Sequence, residues 1–301
     1  MTPLRFAVIG RGRMAAAMRA LIGDAPLDHA EAVYIASRNR DHAGDVRASL
    51  ASGKAVLCEK PFAMSAAETA DLLSQAQRSG LLCMEAVATP FLPAVAAALE
   101  AAHGGRLGTV RRLEASFGYP VDAGSHPRLF DADGGVLADR AIYPLMLALI
   151  ALGPIADAEA EVERDADGVD IAARFRVAHR GGARSDLSVS FVERLDNDLW
   201  IEGDAAAVDV APPLLSAQRV RFTRPGAGRR RWGSRQHPLI RHLADMGSRA
   251  TGGWYGHGGS PYVHEIAHFT ALFRDGAVES PVISHDRMLA AARLIEEARK
   301  A

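Results

Sequence analysis

Short apolar runs alternate with helix-forming stretches through the first part of the chain. Residues 4–10 (LRFAVIG) are apolar and end in glycine, which predicts a buried strand. Residues 13–22 (RMAAAMRALI) are dense in strong helix formers and predict a helix. Residues 32–36 (AVYIA), 55–58 (AVLC) and 81–86 (LLCMEA) predict further buried strands, with helices over 41–52 and 65–78 between them. Ser65 with Glu68 three residues on suits a capping box. Strands alternating with helices at this spacing predict a parallel sheet built from right-handed crossovers.

The pattern changes after about residue 108. Residues 109–119, 169–179, 184–193 and 199–210 predict antiparallel strands, with turns at Asp167-Gly168, Gly181-Gly182 and Gly203-Asp204. One apolar helix is expected over 138–152, and two more near 266–273 and 285–298. Residues 226–259, rich in Gly, Arg and His, predict a loop with one short helix at 239–248. The expected fold class is α/β: a parallel sheet over residues 1–118, then an α+β domain over 119–301 with a largely antiparallel, open-faced sheet. No internal repeat is present.

Composition narrows the function classes. The 301 residues are 49% hydrophobic and 24% charged, as expected of a globular protein, and the net charge of −1 gives no global attraction to nucleic acid or an anionic membrane. No apolar run reaches the roughly 18–20 residues of a membrane span, and MTPLRFAVIG has no signal-peptide pattern. Cys58 and Cys83 sit in apolar runs and are expected as buried thiols in the cytoplasm.

The candidate chemistry begins at the first strand–helix turn. Gly10-Arg11-Gly12-Arg13-Met14-Ala15 fits G-x-G-x-x-A. In that pattern the first glycine makes the tight turn, the second lets backbone approach a pyrophosphate, and the small third residue lets helix and strand pack closely. The helix N-terminus supplies free N–H groups and a positive dipole end. Gly10, Gly12, Arg13, Met14 and Ala15 are therefore candidate cofactor-binding residues. A complete dinucleotide half-site continues into a second strand ending in Asp or Glu, which binds the ribose. Here Gly23-Asp24-Ala25-Pro26-Leu27-Asp28 leads almost directly into AVYIA, and Asp24 and Asp28 read as a helix stop and a turn.

The stretch VYIASRNRDHAGDVRASLASGKAVLCEKP, with its Glu59-Lys60-Pro61, resembles the strand–helix–strand segment and E-K-P signature of the Gfo/Idh/MocA oxidoreductases. Met84-Glu85-Ala86, Phe91-Leu92-Pro93-Ala94, Arg128-Leu129-Phe130-Asp131 and the run from Gly134 to Pro144 are similar to that family's dihydrodiol dehydrogenase branch. Tyr262-Val263-His264-Glu265-Ile266-Ala267-His268-Phe269 is similar to its closing helix. The resemblance covers nearly the whole chain, which is about 40 residues shorter than the family pattern between the first helix and AVYIA, enough for two strands and a helix. In the strand order 3-2-1-4-5-6, the missing second and third strands are neighbours at one edge. The loss falls on the adenosine half of the site, and with it go the residues that would choose NAD from NADP.

The resemblance implies a shortened Rossmann-type domain and hydride transfer between NAD or NADP and a secondary alcohol of a sugar, polyol or cyclic diol. It implies an active site in the cleft between the domains and a homodimer formed through the open sheet face, or a higher homo-oligomer. It adds Ser37, Arg38, Asn39, His42, Glu59, Lys60 and Pro61 to the cofactor-binding residues and assigns catalysis to Lys60, Asp139 and Tyr143. Tyr143 would be the acid/base, Lys60 its electrostatic partner and substrate anchor, and Asp139 an acceptor orienting the substrate. Asp139 and Tyr143, four apart on a predicted helix, would share a face; an ammonium beside a tyrosine favours the phenolate. Ala141 and Arg140 depart from the family's usual glycine and apolar residue, and Ala88, Pro90 and Arg38 from its usual Trp, Arg and Pro. Arg11, Arg13, Arg38 or Arg40 would clamp a pyrophosphate.

Two rival readings stand beside this one. The first is a family relative without turnover, suggested by the shortened nucleotide domain. The second is a zinc hydrolase. His264-Glu265-Ile266-Ala267-His268 is a literal H-E-x-x-H, with Glu279 or His285 as a third ligand; the same helix fits the oxidoreductase family with no metal. Arg229-Arg230-Arg231 reads as a solvated loop, and His237, His242 and His257 have no ligand spacing.

Overall fold

The computed structural model describes residues 3–226 and 252–301. The expected helix at 239–248, Arg229–Arg231, His237 and His242 lie outside the described residues. The chain divides into two compact units: residues 3–87 with 262–297, and residues 88–226 and 252–261 with 298–301.

The first unit is built on a four-stranded parallel sheet. Its strands are β1 (Phe6–Ile9), β2 (Ala32–Ile35), β3 (Ala55–Glu59) and β4 (Cys83–Ala86), in the order β1-β2-β3-β4. Apart from the half-buried strand ends Ile9 and Glu59, every residue of these strands is buried. That matches the continuous apolar runs expected of a sheet covered on both faces. The helices of the unit are α1 (Arg13–Ile22), α2 (His42–Ala51), α3 (Ala66–Ser79), α7 (Val263–Arg274) and α8 (His285–Lys300). The Ser65 half of the expected capping box forms: Ser65 Oγ accepts the Glu68 N–H at 3.2 Å, and the Glu68 carboxylate meets the Ser65 hydroxyl at 3.3 Å. The last helices are tied in by Phe6 against Phe269 and by Glu296, which accepts the Ala66 N–H. Cys58 and Cys83 are fully buried thiols, pushed up by burial, and no disulfide joins them.

The position of β1 at the sheet edge agrees with an order 3-2-1-4-5-6 that has lost strands 2 and 3. The edge is not left open. Asp24, expected as a helix stop, follows the end of α1 and also accepts the Val8 N–H at 2.9 Å, and the Ala25 N–H donates to Phe6 O at 2.7 Å. Arg19 Nη2 donates to Val8 O and Gly10 O at 2.8 and 2.9 Å, while its Nε meets Asp24 Oδ2 at 2.6 Å. Side chains and one backbone amide thus occupy the ladder positions that a neighbouring strand would fill.

The second unit is an eight-stranded sheet in the order β12-β11-β10-β9-β5-β8-β7-β6. It comprises β5 (Val110–Gly118), β6 (Ile155–Arg164), β7 (Asp170–His179), β8 (Arg184–Ser190), β9 (Leu199–Gly203), β10 (Ala207–Val210), β11 (Arg219–Thr223) and β12 (Gly252–Trp254). Every pairing is antiparallel except β5 with β8. The unit also holds α4 (Pro93–His103), α5 (Val136–Arg140) and α6 (Ile142–Leu152). The single helix expected over 138–152 is two helices meeting at Ala141, which keeps helical angles (φ −63°, ψ −30°). Pro144 supplies the reason: it has no N–H to donate to the carbonyl of Arg140, four residues back. Among the described residues no helix is long and apolar enough to cross a membrane.

Candidate functional site

In the first unit the predicted cofactor residues gather at the carboxyl ends of β1, β2 and β3. Gly10 ends β1 with φ +124°, and a Cβ there would lie 2.1 Å from Ala36 O, so the turn closes only with glycine. Gly12 differs. Its φ of −81° suits any residue, and a Cβ there would meet nothing within 4 Å. Neither backbone conformation nor packing asks for glycine at 12, but a ligand approaching the backbone would. Ala15 is fully buried, which leaves no room for a larger side chain. Helix α1 has no side-chain N-cap and no acidic residue in its first turn, and Arg11 and Arg13 are exposed beside it. Its first N–H groups and dipole are therefore available to an anion, so the residues fit a phosphate of a nucleotide.

Beyond β2, Ser37 Oγ donates to Asp45 Oδ2 at 2.6 Å, while Arg38 is exposed and Asn39 opens a short turn into α2. His42 is buried, with Nδ1 donating to Pro61 O at 2.7 Å; burial holds its pKa below the ordinary imidazole value. A neutral ring therefore ties the start of α2 to the Lys60–Pro61 turn, whose peptide bond is cis. Lys60 itself is half-buried at the end of β3.

Beneath that turn the fold gathers groups from separate motifs of the sequence. Tyr34 donates its hydroxyl to Glu59 at 2.5 Å. Glu85, buried on β4, accepts the Phe62 N–H at 2.9 Å, and burial pushes its pKa up to about 7, against the opposing pull of that N–H and of Lys60. Glu265, buried on α7, is pushed up by burial and by the Glu59 charge. Tyr262 is raised by burial and by Glu59 and Glu265, with Lys60 and Arg13 acting the other way. Charges of both signs thus converge around Glu59 and Lys60. The β3–β4 register places Cys58 opposite Glu85, which sets the second acid under the turn.

Asp139 and Tyr143 belong to the second unit. Asp170 of β7 accepts the Leu137 N–H at 2.7 Å and fixes the start of α5; Gly135, at φ +91°, has no space for a Cβ beside that carboxylate. Arg140 is buried, donates to the Tyr119 and Ser190 carbonyls, and stacks over Phe117 and Phe191 at 5.0 and 4.5 Å. It pairs with Asp139 at 3.6 Å, and Tyr143 sits edge-on to the same Phe117 at 5.5 Å. The arginine that departs from the family pattern therefore braces one predicted catalytic residue and shares an aromatic neighbour with the other.

The H-E-x-x-H helix forms, and its second histidine is engaged away from the first, while His264 Nε2 is buried with no hydrogen-bond partner. His268 Nε2 meets Ser280 Oγ at 2.8 Å, and Glu265 accepts the Val87 N–H. Of the proposed third ligands, His285 Nε2 donates to Cys83 O and Glu279 accepts the His285 N–H. Among the described residues no three His, Cys, Asp or Glu side chains are grouped to hold a metal ion.

Two family models match: an oxidoreductase-family NAD-binding Rossmann fold over residues 18–87, and a GFO/IDH/MocA C-terminal domain over residues 95–209. Trans-1,2-dihydrobenzene-1,2-diol dehydrogenase of Mus musculus is 29% identical over 282 residues, covering 90% of this chain and 77% of the relative. An NADP(+) scyllo-inositol 2-dehydrogenase of Bacillus subtilis is 28% identical with the same coverage. The structure of a 3-ketoreductase from Actinomadura kijaniata, in complex with NADP and TDP-benzene, superposes with a TM-score of 0.76 at 21% identity, covering 99% of this chain and 98% of that one. An aldose-aldose oxidoreductase from Caulobacter crescentus gives 0.74 at 20% identity, over 97% and 88%. At these identities the structural likeness speaks for the fold.

Proposed function

The chain belongs to the Gfo/Idh/MocA oxidoreductase family, and from that premise we propose that it moves a hydride between a nicotinamide cofactor and a secondary alcohol of a sugar, polyol or cyclic diol. The observation that carries the reading is the open space over Gly12 at an uncapped helix N-terminus, beside the strand ends that bear Ser37 and Glu59-Lys60-Pro61. The bound nicotinamide would accept or donate the hydride. The chain's part is to bind, orient and move the hydroxyl proton. Tyr143 takes or returns that proton, Lys60 supplies positive charge and anchors the substrate oxygen, and Asp139, braced by Arg140, accepts a substrate hydroxyl. Gly10, Gly12, Arg13, Met14 and Ala15 form the phosphate turn. Ser37, Arg38, Asn39, His42, Glu59 and Pro61 form the adjoining wall, His42 by holding Pro61 in place. The working form is a homodimer, assembled through the outer face of the eight-stranded sheet, in a reducing compartment that keeps Cys58 and Cys83 as thiols.

The test is calorimetric titration with NADH and NADPH, followed by a screen of polyols, aldoses and cyclic diols for formation of reduced nicotinamide. Saturable binding with turnover of at least one such alcohol is expected. Failure of both cofactors to bind refutes the proposal. A relative that binds ligand without turnover is the second reading, and the closed edge of β1 favours it. Binding with no turnover across the screen would select it.

A further inference from the structure

The nicotinamide reading implies a whole dinucleotide, but the residues present fit only part of one. The outward edge of β1 presents Phe6 O, Val8 N, Val8 O and Gly10 O, and all four are satisfied from within the chain, by the Ala25 N–H, Asp24 and Arg19. The link from α1 to β2 holds a single short turn, Leu27–His29. In the complete fold, the strand on that side of β1 ends in the acid that grips the adenosine ribose. Among the described residues no strand pairs with that edge, and those four groups are already used. The fit is good for one half and absent for the other. The Gly10–Ala15 turn and the uncapped first turn of α1 offer a place for a phosphate, and the ends of β2 and β3 lie on the side where the nicotinamide riboside would continue.

We infer that this site recognises its cofactor as a nicotinamide ribosyl phosphate, with the adenylate moiety contributing nothing to affinity. This rests on the nicotinamide reading above. It follows that the mononucleotide is as good a ligand as the dinucleotide. A 2′-phosphate, which sits on the adenosine ribose, would then change affinity little.

Calorimetry on the intact protein with reduced nicotinamide mononucleotide, NADH and AMP tests this. The mononucleotide and NADH should bind with dissociation constants within about fivefold of each other, and AMP should not displace NADH. A larger advantage for NADH, or competition by AMP, overturns the inference and leaves the nicotinamide reading standing. If neither nicotinamide ligand binds, the proposed function falls and this inference falls with it.

Discussion

Replacing Asp24 by alanine tests the idea that a side-chain pair stands in for a missing strand. The substitution removes the acceptor of the Val8 N–H and the partner of Arg19. Val8 is 6% exposed, so its amide is left largely without water, which costs about 1–3 kcal/mol. The ion pair is more exposed, at 36% and 39% for the two side chains, and adds at most about 1 kcal/mol. A loss of about 2 kcal/mol at neutral pH is expected. Asp24→Asn keeps an oxygen for Val8 and should lose only about 0.5 kcal/mol, the charge contribution. The Val8 amide and the Arg19 guanidinium hold Asp24 below the ordinary carboxylate range. The charge-dependent part of its stabilisation is therefore present above that range and disappears as pH falls through the lowered pKa, so wild type should approach Asp24→Asn, rather than Asp24→Ala, in acid. Urea unfolding by far-ultraviolet circular dichroism, with hydrogen exchange of residues 4–10, gives the readout. Trp200 and Trp254 lie outside this unit and would miss it. Equal damage from Asn and Ala, or an Ala variant within about 0.5 kcal/mol of wild type, would show that the pair does not close the edge.

Gly12→Ala should leave stability unchanged, because the added Cβ meets no protein atom, yet weaken NADH binding at least about tenfold; calorimetry and thermal melting separate the two effects. Glu85, with its folded pKa near 7, keeps a proton that the unfolded chain releases at lower pH, so it makes stability fall as pH rises between roughly 4.5 and 7. Glu85→Gln, which retains an acceptor for the Phe62 N–H, should gain stability on wild type at pH 8 but not at pH 5, as read by urea unfolding at both values. Tyr143→Phe should lower kcat by about 100-fold or more with a smaller effect on KM, and a variant within about twofold of wild type would remove Tyr143 from proton transfer. Dialysis against a chelator should change neither folding nor turnover, as measured by circular dichroism and steady-state rates.

Much of this protein was legible as local pattern. Continuous apolar runs predicted β1 to β4, because strands covered on both faces need apolar residues at every position. The glycine turn and the Ser65 cap depend on a few adjacent residues and formed where expected. Strand β6 carries only a weak signal, because the half-buried face of IADAEAEVER is made of Ala158, Ala160 and Val162 alternating with exposed glutamates, and two alanines mark an apolar face faintly. The break between α5 and α6 was readable in principle from Pro144, but the apolar run around it masked the signal.

What only the tertiary structure decided are contacts between residues far apart in sequence. Asp24 acquires its role from Val8, sixteen positions away, once β1 has become an edge. Glu85 and Glu265 come under the Lys60 turn through strand register and a returning helix, and their raised pKa values follow from burial that composition does not encode. Arg140 looked like a departure from pattern until Phe117, Phe191 and two carbonyls enclosed it. A strand or helix is specified by its own residues, whereas a charge takes its meaning from whichever distant groups the packed chain sets beside it.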